Sequence, residues 1–284
     1  MQEMLLFGQV PNAHQPTVRQ QLSGIARMQP QPAVQRHVLF RPIQTTIHTL
    51  PPPKAGASNS QQQEAQKLRL LLNAPLSYIQ LVGVPPNKNT SLVDEGQKSV
   101  SKTIPTSSTE QTQDQAPGLV WTIEFRDIPE AGKAATSLRG MSRTRLQEGD
   151  PFDMLHKLGY QYHSQYVLAG DNFYDQDTTL FLHQALAFPP QSQPPAQNQN
   201  QNITFASVNT VPDVSKLTPV DPAGGYILQA SIEIADAGSS ELKDRATQQL
   251  LAMKEILRPS VLLDPGDRLA LDTRVSVRRV ATAG

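Results

Sequence analysis

The dominant hydrophobic period along this chain is two. In Trp121–Arg126, Trp121, Ile123 and Phe125 share one face while Thr122, Glu124 and Arg126 share the other, the alternation of a half-buried strand. The same alternation runs through Tyr226–Ile234 and Leu269–Val275, and more weakly through Met4–Val10, Val34–Arg41, Tyr78–Val84, Tyr160–Leu168 and Thr179–Phe188. No regular alternation of strand with helix separates these segments, so they are expected to pair antiparallel rather than form a doubly wound sheet.

A helical period is confined to a few places. Leu242, Ala246, Leu250, Met253 and Leu257 make one apolar stripe over Glu241–Leu257, with Ser239 or Ser240 as cap and Pro259 as stop. A second helix is predicted over Pro16–Met28, with Val18, Leu22 and Ile25 on one side and a capping pair within Asn12–Gln15. Pro151–Leu158 reads as a short third, bracketed by Asp150 and Gly159, and Gln61–Leu72 offers a fourth. Many short strands with few helices predict a mainly β (α+β) domain, an antiparallel barrel or sandwich with helices packed against it; the pattern does not choose between the two.

Three polar tracts, residues 51–63, 85–118 and 189–222, interrupt the pattern and read as flexible insertions in a single domain spanning residues 1–284. Composition agrees. The 24 prolines and a hydrophobic share of only 38% leave a sizeable fraction unable to offset its ordering entropy, so the folded part is expected to be roughly 200 residues.

Charge and cysteine usage then exclude several function classes. The 25 basic and 25 acidic residues balance, which lacks the footprint of a protein that grips nucleic acid through its phosphates. The absence of cysteine removes disulfides, thiolate nucleophiles and common structural zinc sites, and fits a reducing compartment. The apolar run at Met4–Phe7 is too short, and too acidic at its front, for a signal peptide, and no stretch approaches a membrane span. The sequons at Asn89 and Asn202 are the kind that arise by chance in Asn/Ser/Thr-rich tracts.

Catalytic constellations are sought by residue type, and most fail. Gly132-Lys133 lacks the glycines and the hydroxyl residue of a phosphate loop, and Gly224-Gly225 precedes a strand, so it reads as a turn. The histidines His14, His37, His48, His156, His163 and His183 never take the i, i+4 spacing that lets two imidazoles share a metal, and read as surface or satisfied core residues. No Gly-x-Ser-x-Gly elbow occurs. The polar strand faces carry Arg36, Arg41, Glu124, Arg126, Arg143, Arg145, Glu233, Asp272 and Arg274. In a closed barrel these would line a charged tunnel suited to metal-assisted phosphate hydrolysis, but the Glu-x-Glu pair such chemistry uses is missing. The favoured reading is solvated strand faces with cross-strand charge pairs. Tyr160, Tyr162 and Tyr166, evenly spaced on one strand, are expected to pack rather than stack on a ligand.

Several segments together resemble the family of subunit 18 of the Mediator of RNA polymerase II transcription, particularly its fungal members. They are Leu5–Pro11, Gln20–Pro30, Trp121–Glu130, Gly225–Ile232 and Asp267–Val275, which occur in the family's order and cover most of the patterned sequence. The resemblance implies a nuclear, non-enzymatic protein: an antiparallel barrel of the Mediator head module, paired with subunit 20 and gripping a helix from the tail of subunit 8. It also implies contact with the polymerase and its initiation factors, with no catalytic, cofactor-binding or metal residues. The family's barrel is similar to triphosphate-tunnel enzymes, while the missing Glu-x-Glu pair speaks against an inherited activity. The alternatives are a metal-dependent tunnel phosphohydrolase and an unrelated protein-binding barrel. The matching motifs are strand cores, so they assign no partner-binding residue.

Overall fold

The structure is a computed structural model that describes residues 1–43, 76–86, 118–132, 134–146, 149–189 and 203–275. Its strands are β1 (Gln2–Val10), β2 (Gln31–Pro42), β3 (Ile79–Val84), β4 (Val120–Arg126), β5 (Ser137–Arg145), β6 (Tyr160–Asp175), β7 (Thr178–Ala187), the two-residue β8 (Thr218–Pro219) and β9 (Tyr226–Ile234). All but β8 close one antiparallel ring in the order β1-β5-β4-β3-β2-β6-β7-β9 and back to β1. The fold is therefore a barrel and not a sandwich, and closure removes most of the sheet edge.

Among the described residues four helices dress the outside: α1 (Gln15–Ala26), α2 (Pro151–Lys157), α3 (Phe205–Val208) and α4 (Ser240–Leu257). Ser239 caps α4 by accepting from the Leu242 N–H at 3.3 Å. Asp150 caps α2 through the Phe152 and Asp153 N–H groups, and Gly159 follows that helix at φ +83°, where a side chain would be strained. The capping pair expected in Asn12–Gln15 does not form: a 3-10 turn over Asn12–His14 leads into α1 without a side-chain cap. Among the described residues no helix is long and apolar enough to cross a membrane.

The apolar cores sit outside the barrel wall. Met4, Leu6 and Val10 of β1, with Leu228, Ala230, Ile232 and Ile234 of β9 and Phe173, Leu180 and Leu182 of β6 and β7, pack under Val18 and Leu22 of α1 and Ala246, Leu250, Met253 and Leu257 of α4. Leu242, the expected first member of the α4 stripe, stays 41% exposed, lining an open groove beside Ile232 and Ile234 of β9. A second core joins Val38, Phe40, Leu81 and Trp121 to Leu155 of α2 and Val208 of α3. Alternation therefore turns apolar faces of the strands outward under helices and their largely polar faces, with Phe7, Leu39, Val82 and Phe181 among them, into the lumen.

Two sequence expectations change here. Leu269–Val275 is not a strand: residues 268–271 turn, and only Arg274 makes a β-bridge, to Ser77. Asp267 and Asp272 accept from the N–H groups of Leu269 and Arg274, at 3.0 and 2.9 Å, and such local turns compete with a ladder. This strap is still tied to the barrel, exchanging backbone hydrogen bonds between Asp264 and Phe7 at 2.8 and 2.9 Å and joining Tyr78 to Thr273 at 2.8 Å. The second change concerns the insertions. The tract 51–63, the predicted helix Gln61–Leu72, residues 87–117 and residues 190–202 lie outside the described residues. Residues 203–222, assigned by composition to the third insertion, carry α3, a 3-10 turn and β8, with Val208 buried in the second core.

The barrel lumen as candidate functional site

Residues that the sequence marks as polar faces converge in the lumen, which encloses a cavity of about 660 Å³. Inward positions alternate with buried outward ones on each strand, so Glu3 and Phe7 of β1, His37 of β2, Gln80 of β3, Glu124 and Arg126 of β4, Arg139 and Arg143 of β5 and Glu233 of β9 face one another. The Asp272 and Thr273 portion of the strap lines the same space. The faces expected to be solvated are so only in part, Arg143 and Glu233 staying exposed while Glu124 is only 5% exposed; the expected cross-strand charge pairing is present.

Three carboxylates and three guanidiniums form one ladder. Glu3 holds Arg139, its direct neighbour across β1 and β5, and contacts Arg126 Nε at 3.3 Å. Glu124 accepts from Arg143 Nε on Oε1 at 2.9 Å, and its Oε2 lies 2.6 Å from Arg126 Nη2 as an ion pair without hydrogen-bond geometry. Arg143 continues to Glu233 at 2.9 Å. Every member has a partner of opposite sign, which offsets the desolvation that an unpaired charge would suffer. Arg126 also donates to Gln80 Oε1 at 2.8 Å, and Gln80 Nε2 donates to Tyr166 Oη at 2.8 Å and meets His37 Nδ1 at the same distance.

Burial, reinforced by the nearby cation Arg126, pushes the His37 imidazole down to about 3, so it is neutral at physiological pH. Its ring stacks on Tyr166 with centroids 4.9 Å apart and meets Gln35 Oε1 at 3.1 Å. Burial likewise lowers His183 to about 4, where the ring stacks on Phe181. Both are the satisfied core histidines expected from sequence. His14, His156 and His163 are exposed, and His48 lies outside the described residues.

The remaining flagged residues separate. Arg145 is exposed at the lumen mouth, Asp272 and Arg274 pair with each other at 2.7 Å on the strap, and Arg41 is exposed. Arg36 points outward, donating to Gln165 Oε1 at 2.8 Å and to the Val208 carbonyl at 2.9 Å, with its guanidinium 4.8 Å from the Phe188 ring centroid. The tyrosines part company because of a bulge: the β2–β6 register shifts between Leu39 and Phe40, where Ser164 and then Tyr162 are the partners. That extra residue puts Tyr160 and Tyr162 against the outer core and Tyr166 in the lumen. Sequence reasoning missed Glu3 and Arg139. Glu3 did sit one residue ahead of an alternating strand, which was the available signal.

What this arrangement can do chemically follows from occupancy. Each lumen carboxylate is already neutralised by arginine, so a cation entering the lumen would have to displace a guanidinium. Among the described residues no three His, Asp or Glu side chains converge as a metal-holding group.

Comparison with known proteins agrees with the architecture. The family model described as Med18 protein matches residues 2–274. Mediator of RNA polymerase II transcription subunit 18 of Coccidioides immitis is 36% identical over 97% of this chain and 100% of its own length. The protein of that name from Neosartorya fischeri is 34% identical over 96% of this chain and 99% of its own. A chain in the structure of the Schizosaccharomyces pombe Mediator head module superposes with a TM-score of 0.59 at 19% identity, covering 94% of this chain and 99% of that one. With a model matching nearly end to end and relatives above 30% identity at full coverage, this chain belongs to the Med18 protein family.

Proposed function

We propose that this chain is a non-enzymatic subunit of the Mediator head module, linking regulators to RNA polymerase II and its initiation factors through protein contacts. The observation that carries this reading is the family match over residues 2–274, which takes in the whole barrel and its strap rather than one motif. The relatives' names support membership of Mediator, and the likeness to a chain of the S. pombe head module supports the module. A nuclear location follows from that membership. Subunit 20 as heterodimer partner and a helix from the tail of subunit 8 as second partner come from the family resemblance.

The lumen favours the non-enzymatic half of the reading. A tunnel phosphohydrolase needs carboxylates free to hold a cation and arginines free to hold phosphate, whereas here the two sets are paired in charge with each other. Co-expression with subunit 20 and the tail of subunit 8, followed by size-exclusion chromatography, tests the partner assignment. A stoichiometric ternary peak is expected; three separate peaks at micromolar concentration would contradict it.

A further inference from the structure

β5 ends in a stretch of barrel edge that is open among the described residues, as β6 is over Tyr160–Tyr166, where it pairs with β2 alone. β1 pairs with β5 only from Gln2–Gly140 to Leu5–Ser137, so β5 runs on from Ser142 to Arg145 with β4 on one side and no described strand on the other. All four of these residues are exposed. The direction of their backbone groups follows from the flanking hydrogen bonds. Met141 N–H points to the β1 side, donating to Met1 O at 3.1 Å, and Leu146 N–H points to the β4 side, donating to Trp121 O at 2.9 Å. Alternation then aims the N–H and C=O of Ser142 and Thr144 at β4, and those of Arg143 and Arg145 outward into the gap.

We infer that Ser142–Arg145 is a docking edge that takes an extended strand from a partner subunit, bearing a carboxylate toward the lumen mouth and an aliphatic side chain outward. This rests on the Mediator-subunit reading above.

The side-chain preference comes from the two surfaces such a strand would meet. Arg139, Arg143 and Arg145 lie on one face of β5, and residues directly opposite one another across a ladder share a face. Arg143 is satisfied by Glu124 and Glu233, whereas Arg145 contacts no carboxylate among the described residues. A carboxylate opposite Arg145 would extend the ladder by one pair. On the outer side lies a groove of about 380 Å³ lined by Ile234, Ala235, Leu242 and Ala246, with the Arg245–Asp177 pair at its rim. It reaches this edge through Glu233, which lines it and accepts from Arg143 at 2.9 Å. Leu242 is the one member of the α4 stripe that the barrel leaves exposed, and an aliphatic side chain in the groove would cover it. Charge on an edge strand also discourages random pairing, so the arginines favour a partner that carries the complementary acid.

The test reads alternation. The chain is compared alone and co-assembled with subunit 20 and the tail of subunit 8, following amide exchange residue by residue. Strand addition predicts that the Arg143 and Arg145 amides slow at least tenfold on assembly while Ser142 and Thr144, already bonded to β4, stay within twofold. Arg145→Glu is expected to weaken assembly about tenfold with an unchanged melting temperature. Arg145→Pro, which removes the outward N–H together with the guanidinium but no hydrogen bond to β4, should abolish the added protection at Arg143. An assembled complex in which Arg143 and Arg145 exchange as fast as in the free chain overturns this proposal alone. Failure of the wild-type chain to assemble at all overturns the Mediator reading and this inference with it.

Discussion

Replacing Glu124 by Gln removes the central charge of the lumen ladder while keeping side-chain volume. Its carboxylate is 6% exposed, accepts from Arg143 at 2.9 Å on one oxygen and pairs in charge with Arg126 at 2.6 Å on the other. The amide can accept from one arginine with its oxygen, but its NH₂ group then faces the other guanidinium, donor against donor. Breaking a buried pair from one side costs about 3–5 kcal/mol when the stranded charge stays dry. Here Arg126 and Arg143 are 20% and 38% exposed, so water screens part of that loss and about 2–3 kcal/mol is the reasoned value. At about 2–4 °C per kcal/mol for a domain of this size, the variant should melt roughly 4–12 °C lower. Glu233→Gln is the internal control: its pair with Arg143 has both side chains more than a third exposed, so the loss should stay within about 1 kcal/mol. Circular dichroism melts of the three proteins, with a magnesium- and manganese-supplemented phosphate-release assay on nucleoside triphosphates, decide the matter. Equal melting of wild type and Glu124→Gln would refute the structural role of the ladder. Turnover by wild type that vanishes in Glu124→Gln would refute the non-enzymatic reading.

Three further outcomes are expected. Leu250, fully buried where α4 meets the barrel, should not tolerate Asp: an unpaired carboxylate there costs several kcal/mol, so Leu250→Asp should be insoluble or melt early as an isolated chain, and an unchanged melt would contradict the packing of α4 on its own barrel. Acid should destabilise the fold through the histidines. His37 and His183 are held down at about 3 and about 4, so from pH 6.5 downward the unfolded chain binds protons that the folded chain refuses; stability is fully present above pH 6.5 and falls as pH drops toward 4. At pH 5 the loss from the two together is about 4 kcal/mol, and His37→Gln should remove about half of that pH dependence in denaturant melts. Gly170→Ala would place a Cβ 2.0 Å from the Leu182 carbonyl oxygen where β6 meets β7, so a loss of about 3 kcal/mol or more is expected, read as a melt at least roughly 6 °C lower.

How much was legible in the sequence depends on what a period of two can say. It located β1 to β4, β6, β7 and β9, because each alternates apolar with polar residues. It does not say which face is the inside. In this barrel the helices supply the apolar environment, so the alternation of Trp121–Arg126 is inverted relative to a strand whose polar face meets solvent: Phe125 is 38% exposed and Glu124 is buried. β5 escaped notice because Ser137–Arg145 alternates arginine with small and polar residues and offers little apolar signal. Arg139, and with it half of one ion pair, was lost for the same reason. The bulge beside Tyr162 separates three tyrosines that spacing had put on one face, since a single extra residue reverses the parity of a strand. Within the strap, Leu269–Val275 reads as a strand yet folds by turns, its aspartates satisfying nearby N–H groups before a ladder can form. Charge pairing across neighbouring strands was foreseeable in kind, whereas the closure that buries it depends on contacts between segments as distant as Glu3 and Glu233.

The central claim, that this barrel works as a Mediator subunit and not as an enzyme, is tested most directly by tagging the chain at its native locus, purifying it from nuclear extract and identifying co-purifying proteins by quantitative mass spectrometry. The account predicts recovery of the Mediator head-module subunits in near-equal amounts with the tagged chain, with RNA polymerase II at lower yield. Recovery of the chain alone, or with a stable set of partners containing no Mediator subunit, would contradict it.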